Sequence, residues 1–374
     1  MSLIAPLLVI ASLGHSQDVK PTLNIGDPAP ALAYGKWLKG DQVQQFEKGK
    51  TYVVEFWATW CGPCVRSMPH LTELRRKYEG KVQFISMDVW EHDWAGVPGF
   101  ITKQGERMDY PIAQDELLEP APAAAAPGAK VRWAAEHGKA STSWLVASGY
   151  DKVGIPCSFV VDKDGKVAWI GDPNGIDSIL ESVTRGSWDM GAAAKNNVAY
   201  LQMTSERREI DKRVAKMRDA KDYAGAVKAI KDFVNVDPAN RADYLADAFS
   251  IEQADMKDAA AATATAEEAL RITTIPWIQG LSEIAFAMAF PADGAAKLDN
   301  SLCMRVAAKA DEYERGQRVT VKRALAKFAY AAGNRDEAMK YSNDALALAK
   351  VIAPTQLTDI EKELSVYSSA PKLR

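Results

Sequence analysis

The sequence predicts two unlike halves: an α/β domain, with a central mixed sheet flanked by helices, followed by an all-α domain. Three observations predict this. In the first half, short runs of β-branched and aromatic residues alternate with segments of helical periodicity. From about Asp189 onward strand signals vanish and alanine becomes abundant, as in Asp258–Ile272 (DAAAATATAEEALRI), a run of strong helix formers. The chain has 374 residues, more than one core usually organises.

The elements of the first half follow in order. Thr51–Trp57 (TYVVEFW) reads as a buried strand. Cys64–Tyr78 carries Val65, Met68, Leu71 and Leu74 at helical spacing. Val82–Val89 reads as a strand, Gly99–Met108 as a helix and Tyr110–Ala113 as a short strand. Ser158–Val161 and Val167–Ile170 flank the turn Asp162–Gly165, a hairpin pattern. Ile176–Val183 closes the unit as a helix, giving a domain over 22–186. Pro120–Gly128 (PAPAAAAPG) interrupts the order, and its proline and alanine predict an extended, exposed linker.

The second half, 189–374, holds two similar segments. Asp222–Pro238 and Ala324–Lys350 place small residues where paired helices would cross, and Gly333-Asn334 falls where a helix–helix turn belongs. Both resemble tetratricopeptide helical hairpins. The spacing from Ala226 to Ala338 is not a whole multiple of the roughly 34-residue repeat, so the expected domain is tetratricopeptide-like but irregular.

Composition narrows the function classes. Hydrophobic residues make up 47% and charged residues 25%, enough for ordinary globular cores. A net charge of −3, with no basic cluster interleaved with aromatics, argues against nucleic acid as a partner. Four cysteines are too few for a disulfide-stapled scaffold. The opening MSLIAPLLVIASLGHS (1–16) has an apolar run, Leu3–Leu13, followed by the small residues Gly14 and Ser16. It reads as a secretory signal cleaved near Ser16–Gln17, although its first residues include no Lys or Arg, and it points to an exported, periplasmic or otherwise extracytoplasmic protein. The run is shorter than the about 20 residues that span a bilayer.

Two of the four cysteines stand in FWATWCGPCVRSMP, Phe56–Pro69. A C-x-x-C after a strand and at the start of a helix is a redox dithiol arrangement. Only a thiolate attacks a disulfide, and a helix N-terminus stabilises one through its partial positive charge and free N–H groups. Cys61, at the helix start, is the expected nucleophile, and Cys64, one turn in, the resolving thiol. Gly62 allows close approach, and Pro63 restricts φ where a missing N–H costs little. A zinc site would need two more ligands with their own spacing, and Cys303 has no neighbouring cysteine. The expected redox group is therefore the Cys61–Cys64 disulfide, with no metal and no other cofactor.

At these residues the resemblance is specific. VVEFWATWCGPCVRSMP resembles the active-site segment of thioredoxin-like proteins. Together with the exported N-terminus and IGDPAPAL (Ile25–Leu32), it resembles the TlpA/ResA-like redoxin family over about Thr22–Gly186. The likeness is strong at WCGPC and at Gly154–Asp164 and weak between Gln114 and Ala140. It implies a thioredoxin-like fold and disulfide reduction outside the cytoplasm. It further implies that Glu55, six residues before Cys61, is a buried acid that accepts or relays the proton of Cys64. Pro156 in GIPCSFVVD matches the family's cis-proline, beside which the backbone at Ile155 would pair with an extended substrate. Trp60 matches the aromatic that borders the nucleophile, and Pro69 the kink of the first helix. Trp60, Gly62, Pro63, Ile155 and Pro156 thus form the expected substrate surface. The chain departs from the pattern at Cys157, where the family often has threonine or another small residue. Cys157 is either a modulator, by an alternative disulfide, by tuning the nucleophile or by holding a soft metal ion, or a small buried hydrophobe.

Asp88–Trp94 (DVWEHDW) follows a strand end on the side where the site is expected. Glu91, His92 and Asp93 there either touch a substrate or metal or form a solvated acidic loop, the commoner case for a lone histidine. His70 and His137 have no partner identifiable from sequence, and Cys303 reads as a buried helix residue.

These observations predict an extracytoplasmic thiol-disulfide oxidoreductase acting on protein disulfides. The Gly62-Pro63 dipeptide matches thioredoxin and implies a reductant, supplied with electrons by a membrane thiol donor, with the helical half selecting a peptide or protein client. Two alternatives remain at this level. One is a thiol peroxidase of the same fold, whose P-x-x-x-T-x-x-C pattern is missing before Cys61. The other is a client-binding adaptor or redox sensor that uses the helical half as its surface.

Overall fold

The computed structural model describes residues 21–120, 123–273 and 279–369. The expected signal segment, 1–16, lies outside the described residues. The first half is built on six strands: β1 (Lys36–Lys39), β2 (Thr51–Trp57), β3 (Val82–Asp88), β4 (Ile112–Gln114), β5 (Cys157–Val161) and β6 (Val167–Gly171), in the order β1-β4-β3-β2-β5-β6. β2, β3 and β4 are parallel, while β1, β5 and β6 run antiparallel to their neighbours. β2 is buried along all seven residues, which is why it reads as an apolar run without alternation.

The parallel step from β2 to β3 needs a crossover, supplied by α1 (Gly62–Lys77). α2 (Val97–Gln104), α3 (Pro127–His137) and α4 (Asp177–Arg185) complete the layers. Alternate residues of β2 feed two cores. Val53 and Trp57 join Cys64, Met68 and Leu71 under α1, and Tyr52, Val54 and Phe56 join Trp144 and Phe159 on the other face. This mixed sheet between helices is a thioredoxin-like fold.

The second half is helical among the described residues: α5 (Met190–Asp219), α6 (Tyr223–Val236), α7 (Pro238–Arg241), α8 (Leu245–Ser250), α9 (Ala259–Ile272), α10 (Gly280–Ala289), α11 (Asn300–Tyr313), α12 (Val319–Ala331), α13 (Arg335–Ile352) and α14 (Leu357–Ser369). α12 and α13 form a hairpin that turns at Gly333-Asn334, with Asn334 capping α13 through the Glu337 N–H. Ala226 and Ala338, the two small residues the sequence singles out, are both fully buried. Among the described residues no helix is long and apolar enough to cross a membrane.

α5 joins the halves. Its 30 residues span about 45 Å at 1.5 Å per residue. Its first turns (Met190, Ala193, Ala194, Leu201) pack on the sheet core, and Met203, Ile210, Val214 and Met217 pack in the helical core. The halves also meet at α1, where the turn from α11 to α12 carries Glu314, Arg315 and Gln317 to Arg66, His70 and Arg107.

Two segments differ from the sequence expectations. Lys36–Lys39 (KWLK) is an edge strand that no strand pattern announced. It exists because β4 offers it an unpaired edge. The segment expected to be extended through Gly128 is already helical from Pro127, since proline suits the first helical turn.

α10 starts hard against the turn before α8. The Gly280 N–H donates to Asp243 Oδ1 at 2.5 Å, and a Cβ on Gly280 would lie 2.9 Å from the Asp243 Cα and carbonyl oxygen. Gly280→Ala should therefore destabilise the protein by about 1–3 kcal/mol. An unchanged urea midpoint would mean that this backbone yields without cost.

Candidate active site

Four chain segments meet at one edge of the sheet. β2 and β3 are parallel, so the loops that leave them lie side by side. β5 is antiparallel to β2 and starts at the same edge, with Cys157 opposite Phe56. β6 ends there too, with Gly171 opposite Ser158. The C-terminal edge of parallel strands is where open α/β sheets present ligand sites.

Cys61 and Cys64 are joined as a disulfide. Cys61 is the N-cap of α1, and its Sγ accepts from the Cys64 N–H at 3.2 Å. Gly62 and Pro63 are the first residues of the helix, and Pro69 lies within it. Both cysteines are buried in this oxidised state, Cys61 at 3% exposed and Cys64 fully. Across from them, the Ile155–Pro156 peptide bond is cis, and the Ile155 carbonyl oxygen lies 3.5 Å from Cys61 Sγ. Trp60 is 43% exposed and is held by its indole N–H, which donates to the Trp90 carbonyl at 3.0 Å.

Glu55 lies on β2 between Val53 and Trp57, so alternation turns it toward the α1 face. It is buried, and Oε2 accepts from the Ser86 hydroxyl at 2.5 Å while Oε1 has no partner. Burial pushes its carboxyl up to about 8, against the opposing Ser86 bond. A group that exchanges its proton near neutral pH suits general acid–base work.

Sequence reasoning missed how the β3 exit braces the site. It left Glu91 in a loop of open status, with a solvated surface as the commoner case. The structure buries Glu91 almost completely. It takes the Thr59 N–H and, at 2.8 Å, the Thr59 hydroxyl, gripping the segment two residues before Cys61. The Val89 N–H donates to the Trp57 carbonyl at 2.8 Å, and the Trp90 indole N–H donates to Ser141 Oγ at 2.6 Å. Asp115 holds the Ala140 and Ser141 N–H groups at 2.7 and 3.0 Å. Burial raises Glu91, with the Thr59 bonds opposing. Burial and then the Glu91 charge hold Asp88 well above the usual carboxylate range, and burial lifts Asp115 to about 6. The available signal was an acid just after a strand on the active-site edge.

The remaining candidates are placed as follows. Cys157 packs with Phe56, Trp144, Tyr150 and Phe159, in a different core from Cys61 and Cys64. Burial pushes its thiol well up, with the carboxyls of Asp172 and Glu55 adding to the shift, which disfavours the reactive thiolate. His92 is half-buried and Asp93 exposed. His70 is buried and meets Asp177 at 2.9 Å and Arg315 of the helical half, partners too distant in sequence to be foreseen. His137 stacks on Trp133 at 3.8 Å, and Cys303 is buried in α11. Among the described residues no group of His, Cys, Asp or Glu is arranged to hold a metal ion.

A dithiol at a helix N-terminus, on this fold and above a buried acid, defines a thiol-disulfide oxidoreductase of the thioredoxin-like class. The Redoxin family and a ResA relative agree with this. The Redoxin family model matches residues 24–184. The thiol-disulfide oxidoreductase ResA of Bacillus thuringiensis (strain Al Hakam) is 32% identical over 150 residues, covering 40% of this chain and 69% of that protein. Protein FixW of Rhizobium leguminosarum is 29% identical over 222 residues, 58% of this chain and 93% of that protein. A thiol-disulfide isomerase structure from Corynebacterium glutamicum is 21% identical and covers 43% of this chain and 97% of that one, at a TM-score of 0.31. The chain belongs to the TlpA/ResA-like redoxin family.

Two outcomes are expected here. The Glu55 pKa of about 8 lies above the ordinary 4.5. The folded state thus binds the proton more tightly, and its stability falls as pH rises from about 4.5 through 8. Glu55→Gln should leave the unfolding free energy in urea unchanged near pH 4 and raise it above that of the wild type above pH 8, by a few kcal/mol at about 1.4 per pKa unit. A difference independent of pH would contradict the assignment. Glu91→Ala should cost about 1–3 kcal/mol by leaving the Thr59 N–H without its acceptor and should slow disulfide reduction. If both the melt and the rate are unchanged, the brace does not hold the nucleophile.

Proposed function

We propose that this protein is an extracytoplasmic reductase of protein disulfides that works by dithiol exchange at Cys61 and Cys64. The observation that carries this reading is the disulfide at the N-cap of α1, with the Cys61 sulfur as the capping atom beside the Ile155 carbonyl. In the reduced enzyme the Cys61 thiolate attacks one sulfur of the substrate disulfide and expels the other, which takes up a proton. Cys64 then loses its proton to Glu55 and attacks the Cys61 sulfur. The Cys61–Cys64 bond forms, and the second substrate sulfur leaves as a thiol. Two electrons pass to the substrate, and the disulfide itself is the only redox group the cycle needs.

Trp60, Gly62, Pro63, Ile155 and Pro156 surround the attacked sulfur and form the substrate surface. The N-terminal apolar run supports export. A reductase outside the cytoplasm must be recharged, and we assign that role to a membrane thiol donor. The ResA relative carries the same class of activity in its name. The helical half is assigned the client protein, on an irregular tetratricopeptide-like surface.

The reduced Cys64→Ser variant should trap a mixed disulfide with a disulfide-bonded client model such as oxidised insulin, and reduced Cys61→Ser should trap none. Capture through Cys64 instead would reverse the assignment. Equilibration of the wild type with glutathione sets the direction. A potential near about −270 mV supports a reductant, and one near about −120 mV makes the protein a disulfide-forming oxidant.

A further inference from the structure

The helical half reaches the catalytic helix next to the disulfide. Glu314, just after α11, places Oε2 3.4 Å from Arg66 Nε. Arg66 is two residues beyond Cys64 on α1, and its guanidinium leans back over the helix start: a Cβ on Gly62 would lie 3.6 Å from Arg66 Nη1. A cation thus sits beside the residue that follows Cys61, and a carboxylate from the other half of the chain partly neutralises it. The same carboxylate accepts from Arg318 at 2.6 Å and from the Ser282 hydroxyl at 3.0 Å. The Arg66 and Glu314 side chains are 17% and 6% exposed, so their charges are screened far less than surface pairs.

We propose that Glu314 of the helical half is a positioning residue for the redox reaction, setting the poise of the Cys61–Cys64 pair through Arg66. The physical reason is one of sign. A guanidinium at the N-terminal turn adds to the helix's own partial charge and favours the Cys61 thiolate. The Glu314 carboxylate offsets it. The reduced pair contains the thiolate and the disulfide carries no charge, so whatever stabilises the thiolate favours the reduced form and makes the pair more oxidising. Glu314 therefore keeps the pair more reducing than Arg66 alone would allow. Its position is secured by α5, one helix packed into both cores.

Other charged and titratable groups gather around this end of the sheet and along α1. They are Glu55 on β2, Asp88 and Glu91 at the exit of β3, Cys157 on β5 and Asp172 after β6, with Arg318 from the helical half. Arg107 donates to the Val65 carbonyl at 3.1 Å, close to the start of α1, and His70, Asp177 and Arg315 meet farther along the helix. All remain in place in the variants below.

The test uses the full-length reduced protein. The Cys61 pKa is read from thiolate absorbance and from the pH dependence of iodoacetamide labelling, with the alkylated cysteine mapped. The potential is read against glutathione. Glu314→Gln, which keeps shape and a hydrogen bond to Ser282, should lower the Cys61 pKa and shift the equilibrium constant about three- to tenfold toward the reduced pair, roughly 15–30 mV. Arg66→Gln should move both readouts the opposite way by a similar amount, and Arg66→Lys should leave both within about twofold of wild type. Both Gln variants break the same ion pair, so a merely structural role, by loosening the contact between the halves, would move them in the same direction. Shifts of the same sign, or none beyond about twofold, would overturn the proposal. If Glu314→Gln does not fold, Arg66→Gln against Arg66→Lys decides alone, and equal values for the two overturn it. The proposal rests on Cys61 being the attacking thiol. Labelling at Cys64 would defeat that assignment, whereas labelling at Cys61 with unmoved potentials defeats only the role of Glu314.

Discussion

The catalytic end depends on one placement: Cys61 at the N-cap of α1. An N-cap side chain ordinarily supplies an oxygen to the free N–H groups of the first turn, and here sulfur occupies that position. The thiol is thereby tied to the helix's partial positive charge. The sheet order then matters, because β2 has to end where β5 begins if the Ile155 carbonyl is to lie against the same sulfur. A shift of one residue in the β2–β5 register would exchange Glu55 and Phe56 between the faces of the sheet and dismantle the site.

The surroundings of the disulfide are rich in buried carboxyls. Glu55, Asp88 and Glu91 lie in the interior, the last two against each other, and burial raises all three. Isolated buried charge is costly, so these groups hold their protons or lean on hydrogen bonds. Glu55 has one such bond and one oxygen without a partner, the state of a group ready to exchange a proton. Glu91 has both oxygens engaged by Thr59, the state of a structural clasp. Two acids of similar burial thus differ in what they can do because their hydrogen bonding differs.

Charged contacts rather than a broad apolar seam mark where the helical half meets α1. Exposed pairs of this kind contribute little to stability, and Arg315–Asp177, with both side chains well exposed, belongs to that group. Apolar adhesion between the halves comes from α5, whose residues enter both cores, and from Ile352 of α13, which packs on the core beneath α1. That frees the α11–α12 turn to act through its charges.

Much of this was legible in the sequence because it is local. The β-branched run Thr51–Trp57, the helical spacing after Cys64, the hairpin turn at Asp162–Gly165 and the turn at Gly333-Asn334 each follow from neighbours along the chain. The dithiol and its place at a helix start were legible for the same reason. What sequence could not supply were features that exist only between distant segments. Lys36–Lys39 has no alternation of its own and becomes a strand because β4 has a free edge. Glu91 reads as a loop acid and becomes a buried clasp because the β2 exit lies beside it. His70 has no partner identifiable from sequence, and both it and Arg66 acquire partners from beyond residue 300. The sequence by itself determined the fold class and the reacting pair, since backbone propensity and helix capping act over a few residues. Only the tertiary structure decided which charges are buried and what faces them, because burial and pairing are set by whichever part of the chain folding brings alongside.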